Sequence, residues 1–198
     1  MNVLEQRQAE AYNSMQTAVQ KLRRTMNTQR TLCEIEVALA HYNSFDFRRN
    51  IVAFNVNGWS GTLPIFHECD MLVCTKSGYL TEIEIKRTWS DFVADFKKKH
   101  KHESNGLMKY FYYCLPASFD LEKTYDVLEE HKVNYSGILF YDEYLNFQFY
   151  GFRVSQDDYR NRCMQGHKKL TIEQQLEVAR LGAMRVIGLK EKLITKRQ

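Results

Sequence analysis

The sequence predicts one α/β or α+β domain, in which a mixed central sheet is flanked by helices. Its 198 residues suit a single domain with appendages, since domains average ~150 residues. Hydrophobic residues make up 44% of the chain and charged residues 26%, which is typical of a globular protein. The pattern runs helix, three strands, helix, strand, helix, strands, helix, and such alternation favours a layered fold.

Hydrophobic periodicity and turn signals predict the individual elements. The first helix, capped by Thr28 or Thr31, carries Leu32, Ile35 and Leu39 on one face. The elements predicted after it are strands 51–56, 66–74 and 79–86, a helix 91–99 capped by Ser90, strand 108–115, a helix 120–131, strands 136–141 and 145–152, and a helix from Thr171 onward. We divide the chain into a helical extension (1–30), the main domain (31–155) and a helical tail (156–198).

Composition narrows the function classes. No apolar run approaches the ~20 residues that a membrane span needs, so we expect no membrane partner. The five cysteines are odd in number and form no CxxC, which argues against a disulfide framework and favours the reducing cytoplasm. The net charge of +4 permits nucleic-acid binding without requiring it.

The hairpin of the second and third strands carries the candidate chemistry. Glu82, Glu84 and Lys86 alternate along one face of their strand. A three-residue loop with Gly78 at its end places Asp70 opposite Glu84, and Glu68 opposite Lys86.

Like charges that face each other across a sheet destabilise it, so two opposed carboxylates need a reason to be together. A hard divalent cation supplies one, because Mg²⁺ is commonly held by one or two carboxylates plus substrate phosphates. The pattern therefore predicts Mg²⁺ or Mn²⁺ at Asp70 and Glu84, with Lys86 alongside. The alternative is an edge strand with a solvated polar face.

The residues of this hairpin resemble the signature of a known group of proteins. Asp70 followed by Glu84-Ile85-Lys86 resembles the D…(D/E)xK signature of the PD-(D/E)XK nuclease superfamily. The block 67–102, with the later strands 110–116 and 136–138, is similar to MmcB-type DNA-repair proteins of bacteria and phages. The resemblance covers roughly residues 30–152, and Cys69 stands where the signature names proline.

The resemblance implies a restriction-endonuclease-like core of order αβββαβ, with extra strands and terminal helices. It implies that Asp70, Glu84 and the backbone carbonyl of Ile85 bind the metal. Lys86 would position and deprotonate the attacking water, or stabilise charge on the phosphate.

The superfamily also carries a glutamate on its first helix. Glu34 and Glu36 are both candidates, and we prefer Glu34 because it borders the apolar stripe.

A basic stretch follows this block and is expected to contact the DNA backbone, which gives affinity with little sequence reading. Its members are Arg87, Lys97, Lys98, Lys99 and Lys101. The pair His100 and His102 lacks nearby cysteines or carboxylates, so we expect no zinc there.

His67 and Cys69 are predicted on the face opposite Asp70, with His67 packed in the core. A Cys–His nucleophile pair using Cys69 or Cys74 is the alternative, but positions inside strands favour buried inert thiols.

Three functions remain. The first is a metal-dependent nuclease that hydrolyses DNA in repair or processing, in the cytoplasm of a bacterium or as a phage protein. The second is a non-catalytic nucleic-acid-binding module on the same fold. The third is an assembly protein that forms homo-oligomers through its terminal helices.

Overall fold

A computed structural model describes residues 30–57, 62–98, 107–133, 136–151 and 168–195. All of the predicted extension (1–30) except Arg30 therefore lies outside the described residues. The elements are α1 (Leu32–His41), β1 (Ile51–Asn57), β2 (Glu68–Cys74), β3 (Leu80–Ile85), α2 (Trp89–Asp95), β4 (Met108–Pro116), α3 (Leu121–Glu130), β5 (Gly137–Tyr141), β6 (Phe147–Tyr150) and α4 (Ile172–Thr195). Among the described helices, none has the length and apolar character that crossing a membrane demands.

Six strands form one sheet in the order β1-β2-β3-β4-β5-β6. The β1–β2, β2–β3 and β5–β6 pairs are antiparallel, whereas β3–β4 and β4–β5 are parallel. The mixed α+β class and the order αβββαβ with additional strands are confirmed.

The predicted hairpin register is confirmed from the loop as far as the Met71–Ile83 pair. Leu72 pairs with Glu82, and the Thr75 N–H donates to the Tyr79 carbonyl at 2.9 Å. Gly78 closes the loop with a φ of 83°, a conformation that glycine adopts without steric cost.

Helices cover both faces of the sheet. On one face, Ile35 and Leu39 of α1 pack against Met71 and Ile83. On the other, Phe92 of α2 and its neighbours from α3 cover β4 and β5, and α4 covers β1 and β2. The helix predicted in the C-terminal tail thus contributes Val178 to the core.

In both β1 and β2, the regular alternation of side chains between the two faces of the sheet is interrupted. The two interruptions lie at the same level of the sheet. Ala53 and Val56 belong to one core cluster, three residues apart, and so do Cys69 and Leu72. Side chains on a regular strand share a face only at even spacing. Asn55, whose φ is +50°, lies at this point of β1.

Cys69 and Leu72 therefore share a face of β2, whereas a regular strand would place them on opposite faces. Asn55 lies opposite this stretch of β2, between the Phe54–Met71 and Val56–Cys69 pairs.

Two helix termini differ from the sequence prediction. Thr88, not Ser90, caps α2, because its hydroxyl accepts from the Asp91 N–H at 3.1 Å. The helix ends at Asp95, earlier than predicted. Thr31 caps α1, as one of the two predicted candidates.

Packing of α4 on β1 generates a stability prediction. A Cβ added at Gly182 would meet the Ala53 Cβ at 3.3 Å and the Val52 carbonyl oxygen at 3.4 Å. We expect Gly182→Val to lower the free energy of unfolding by about 1–3 kcal/mol through overpacking. Urea denaturation measures this change.

The matched control is Gly188→Val on the same helix, where an added Cβ meets nothing within 4 Å. This variant should gain a few tenths of a kcal/mol, roughly the difference in helix propensity. Equal effects at both positions would contradict the close approach of α4 to β1.

Candidate functional site

Asp70 lies where β2 and β3 separate. The paired ladder ends at Met71 and Ile83, one step before Asp70 would face Glu84. Instead, the Ile85 N–H donates to Asp70 Oδ2 at 2.8 Å. The Asp70 carboxylate thereby replaces a backbone carbonyl as the acceptor for this N–H. It is held against the segment Glu84–Lys86.

The expected contact between Glu68 and Lys86 is not formed. Glu68 is exposed and pairs with Asn57 of β1, beyond the end of the β2–β3 ladder. The separation of the two strands at Asp70 moves Glu68 away from β3.

Lys86 is buried, and its ammonium lies between two carboxylates. Its Nζ is 2.8 Å from Glu84 Oε2 and 2.9 Å from Asp95 Oδ1. Burial acts to lower the pKa of Lys86, but attraction to Glu84 and Asp95 outweighs it, so the pKa is raised. Lys86 is therefore a fixed cation at neutral pH.

Asp95 was not predicted as a site residue, yet it is the hub of this ion-pair network. The Tyr113 hydroxyl donates to Asp95 Oδ2 at 3.0 Å, and Lys98 Nζ lies 2.7 Å from Oδ1. The signal available in the sequence was spacing: Asp95 follows Phe92 by three residues and so shares its buried helix face.

The two glutamates of α1, Glu34 and Glu36, have different environments. Glu34 is exposed, completes a capping box with Thr31 and pairs with Arg30 at 3.0 Å. Hydrogen bonds from Thr31, then from Arg30, lower its pKa.

Glu36 is the helix carboxylate that senses Asp70. The Asn55 side-chain amide donates to Glu36 Oε1 at 2.6 Å. Burial raises the pKa of Glu36, Asn55 opposes this, Asp70 adds to it, and Arg185 of α4 lowers it. Glu36, one residue beyond the stripe residue Ile35, is thus directed toward the site.

A second cluster lies beside the first and was not predicted. His67 Nε2 is 2.6 Å from Glu82 Oε1 and 3.4 Å from Cys69 Sγ. Within the described residues, this is the group of three potential ligands whose donor atoms all lie within 4.8 Å of one another. Asp70, Glu84 and Glu34 do not form such a group.

The prediction that the cysteines inside strands are buried is confirmed. Cys69, Cys74 and Cys114 are buried, and no disulfide joins them. Burial raises the pKa of Cys74 to about 11. Burial and the surrounding carboxylates also raise the pKa of Cys69.

Three of the five predicted phosphate contacts lie within the described residues. Arg87, Lys97 and Lys98 are exposed close to Lys86 in sequence. Arg87 donates to the Arg30 carbonyl at 3.2 Å, and Lys98 is held by Asp95. Lys99 and Lys101 lie outside the described residues, as does the pair His100 and His102.

Comparison with known proteins yields little likeness. No family model and no curated protein matches the chain. Among solved structures, a protein of unknown function from Silicibacter pomeroyi is similar at 14% identity and a TM-score of 0.45. The match covers 76% of this chain and 84% of that one.

The raised pKa of Glu36 predicts a stability change with a definite sign. A carboxyl group whose folded pKa is raised favours folding below its unfolded pKa, near 4.5, and this contribution is lost as pH rises. Glu36→Gln should therefore raise the free energy of unfolding at neutral pH by a few tenths of a kcal/mol, after allowance for solvent screening. The gain should vanish well below pH 4.5.

Glu34→Gln on the same helix should show the opposite sign. Its lowered pKa stabilises the fold above 4.5, and that contribution is lost on acidification. Chemical denaturation of both variants at neutral and acid pH measures the difference. Effects of the same sign would contradict the assigned environments.

Asp95 has two lysine neighbours of unequal burial, which gives another prediction. Asp95→Ala removes one partner of the buried Lys86 and should cost about 3 kcal/mol. Lys98→Ala removes a side chain that is 57% exposed and should change stability by less than about 0.5 kcal/mol. Thermal and urea unfolding distinguish these outcomes, and similar losses would mean that Lys98 is part of the core network.

Proposed function

We propose that this chain is a metal-dependent nuclease that hydrolyses DNA phosphodiester bonds, with Asp70, Glu84 and Lys86 at its centre. The observation that carries the proposal is the 2.8 Å hydrogen bond from the Ile85 N–H to Asp70. It joins two motif segments that are distant in sequence. A structural strand pair has no need of a carboxylate at that position.

The oxygen donors suit Mg²⁺ or Mn²⁺, because these hard cations require few protein carboxylates and keep several waters. Asp70, Glu84 and the Ile85 carbonyl would hold the ion, with Glu36 rather than Glu34 as the helix carboxylate. The bound ion would supply Lewis acidity and a water that is easier to deprotonate.

Lys86 is better suited to stabilising negative charge than to accepting a proton. Its pKa is raised by Glu84 and Asp95, so the ammonium stays charged at neutral pH. Asp95, anchored by Tyr113, would act as a positioning residue that fixes Lys86. A preorganised buried cation of this kind stabilises charge that develops on a phosphate.

The DNA backbone would lie along the exposed cations that follow Lys86. Arg87 and Lys97 are the described members best exposed to phosphates, and Lys99 and Lys101 extend the run in sequence. Such contacts make binding strongly dependent on salt. Buried free thiols suit the reducing cytoplasm of a bacterium or of a phage-infected cell.

A cleavage assay at low salt tests the proposal with single-stranded, duplex and forked DNA in Mg²⁺, Mn²⁺ or EDTA. Asp70→Asn and Glu84→Gln keep the side-chain shapes and should lower the cleavage rate by at least about 100-fold. Glu68→Gln is the matched control, because Glu68 is an exposed carboxylate on the same strand as Asp70. It should cleave like the natural protein.

Other results of the cleavage assay would contradict the site assignment or favour a different function. Cleavage that survives in Asp70→Asn and Glu84→Gln would show that the site assignment is wrong. Salt-sensitive DNA binding without cleavage would favour the non-catalytic module. Neither activity, together with self-association, would favour an assembly protein, for which α4 offers exposed Leu176, Ile187 and Leu193.

A further inference from the structure

The cluster of His67, Cys69 and Glu82 combines ligand types that suit a softer cation than Mg²⁺. Cysteine sulfur, histidine nitrogen and carboxylate oxygen are the three donors that Zn²⁺ takes from proteins. The ligands come from the segment before β2, from β2 itself and from β3, so the strand hairpin brings them together.

One separation between the donor atoms matches a tetrahedral site, another is shorter, and all three lie within 4.8 Å. Zinc–ligand bonds of ~2.0–2.3 Å place neighbouring donors about 3.3–3.6 Å apart. Cys69 Sγ lies 3.4 Å from His67 Nε2, which is within this range. The 2.6 Å between His67 Nε2 and Glu82 Oε1 would widen by less than about 1 Å.

Burial and charge also favour a divalent cation. Cys69 and Glu82 are fully buried, and the His67 side chain is 9% exposed. An ion bound by one thiolate, one carboxylate and a neutral imidazole forms a set with no net charge, which a buried site tolerates. Apolar neighbours such as Leu63 and Ile65 belong to the same core cluster as Cys69 and would restrict the access of bulk water to the ion.

We propose that His67, Cys69 and Glu82 form a Zn²⁺ site, separate from the carboxylate site at Asp70 and Glu84. Binding breaks the Cys69 S–H bond and forms a Zn–S bond, and the thiol proton passes to solvent. No oxidation or reduction occurs. The three protein ligands leave a fourth position for water.

Titration of the full chain with Co²⁺, under a non-thiol reductant, tests this site independently of nuclease activity. Tetrahedral Co²⁺ with a thiolate ligand gives strong visible bands and a sulfur-to-cobalt charge-transfer band. We expect both at one equivalent of Co²⁺, and we expect Zn²⁺ to abolish them. Cys69→Ser should lose the charge-transfer band and weaken Co²⁺ binding by more than the roughly 10–100-fold typical of outer-shell changes.

Two controls separate the alternatives. Cys74→Ser removes another buried thiol of β2 and should keep both bands. Asp70→Asn should also keep them. If Asp70→Asn loses the visible bands whereas Cys69→Ser keeps them, cobalt lies at the carboxylates and the proposal is wrong. Absence of a charge-transfer band in the natural protein would overturn the proposal without reference to any variant.

Discussion

The buried ammonium of Lys86 constrains this part of the molecule most strongly. A charge removed from water requires partners at close range, and Glu84 and Asp95 lie 2.8 and 2.9 Å away. Asp95 belongs to α2, so its ion pair with Lys86 ties that helix to the end of β3. Tyr113 of β4 then binds Asp95, and the network links three successive elements of the chain. Buried ion pairs contribute little net stability, because the cost of removing both charges from water offsets most of their attraction.

The separation of β2 from β3 at Asp70 explains the arrangement of both clusters. Where the ladder ends, Asp70 reaches the Ile85 N–H. At the same level, Asn55 adopts a left-handed conformation, and β1 and β2 change the face that they present. Cys69 consequently lies with Glu82 on one side of the sheet. The contact of Asp70 with Ile85 and the cluster of His67, Cys69 and Glu82 thus lie next to each other along the same hairpin.

Helix α1 shows how position decides the role of identical residues. Glu34 stabilises the helix terminus through Thr31 and is exposed. Glu36, two residues later, is half-buried against Asn55 and experiences the charge of Asp70. The first carboxylate stabilises the fold at neutral pH, whereas the second destabilises it. Residues that reduce stability in this way are common at functional sites.

Much of the fold could be predicted because its causes are local. Gly78 and its loop set the hairpin register, alternation identified β3, and apolar runs predicted buried cysteines. Tertiary structure decided what depends on how elements dock. The partnership of Asp95 with Lys86 requires α2 to lie over β3, and the choice of Glu36 depends on the rotation of α1 above Asn55. The meeting of Cys69 with Glu82 accompanies a departure from strand alternation that no period in the sequence encodes, since Cys69 shares a face with Leu72, three residues away.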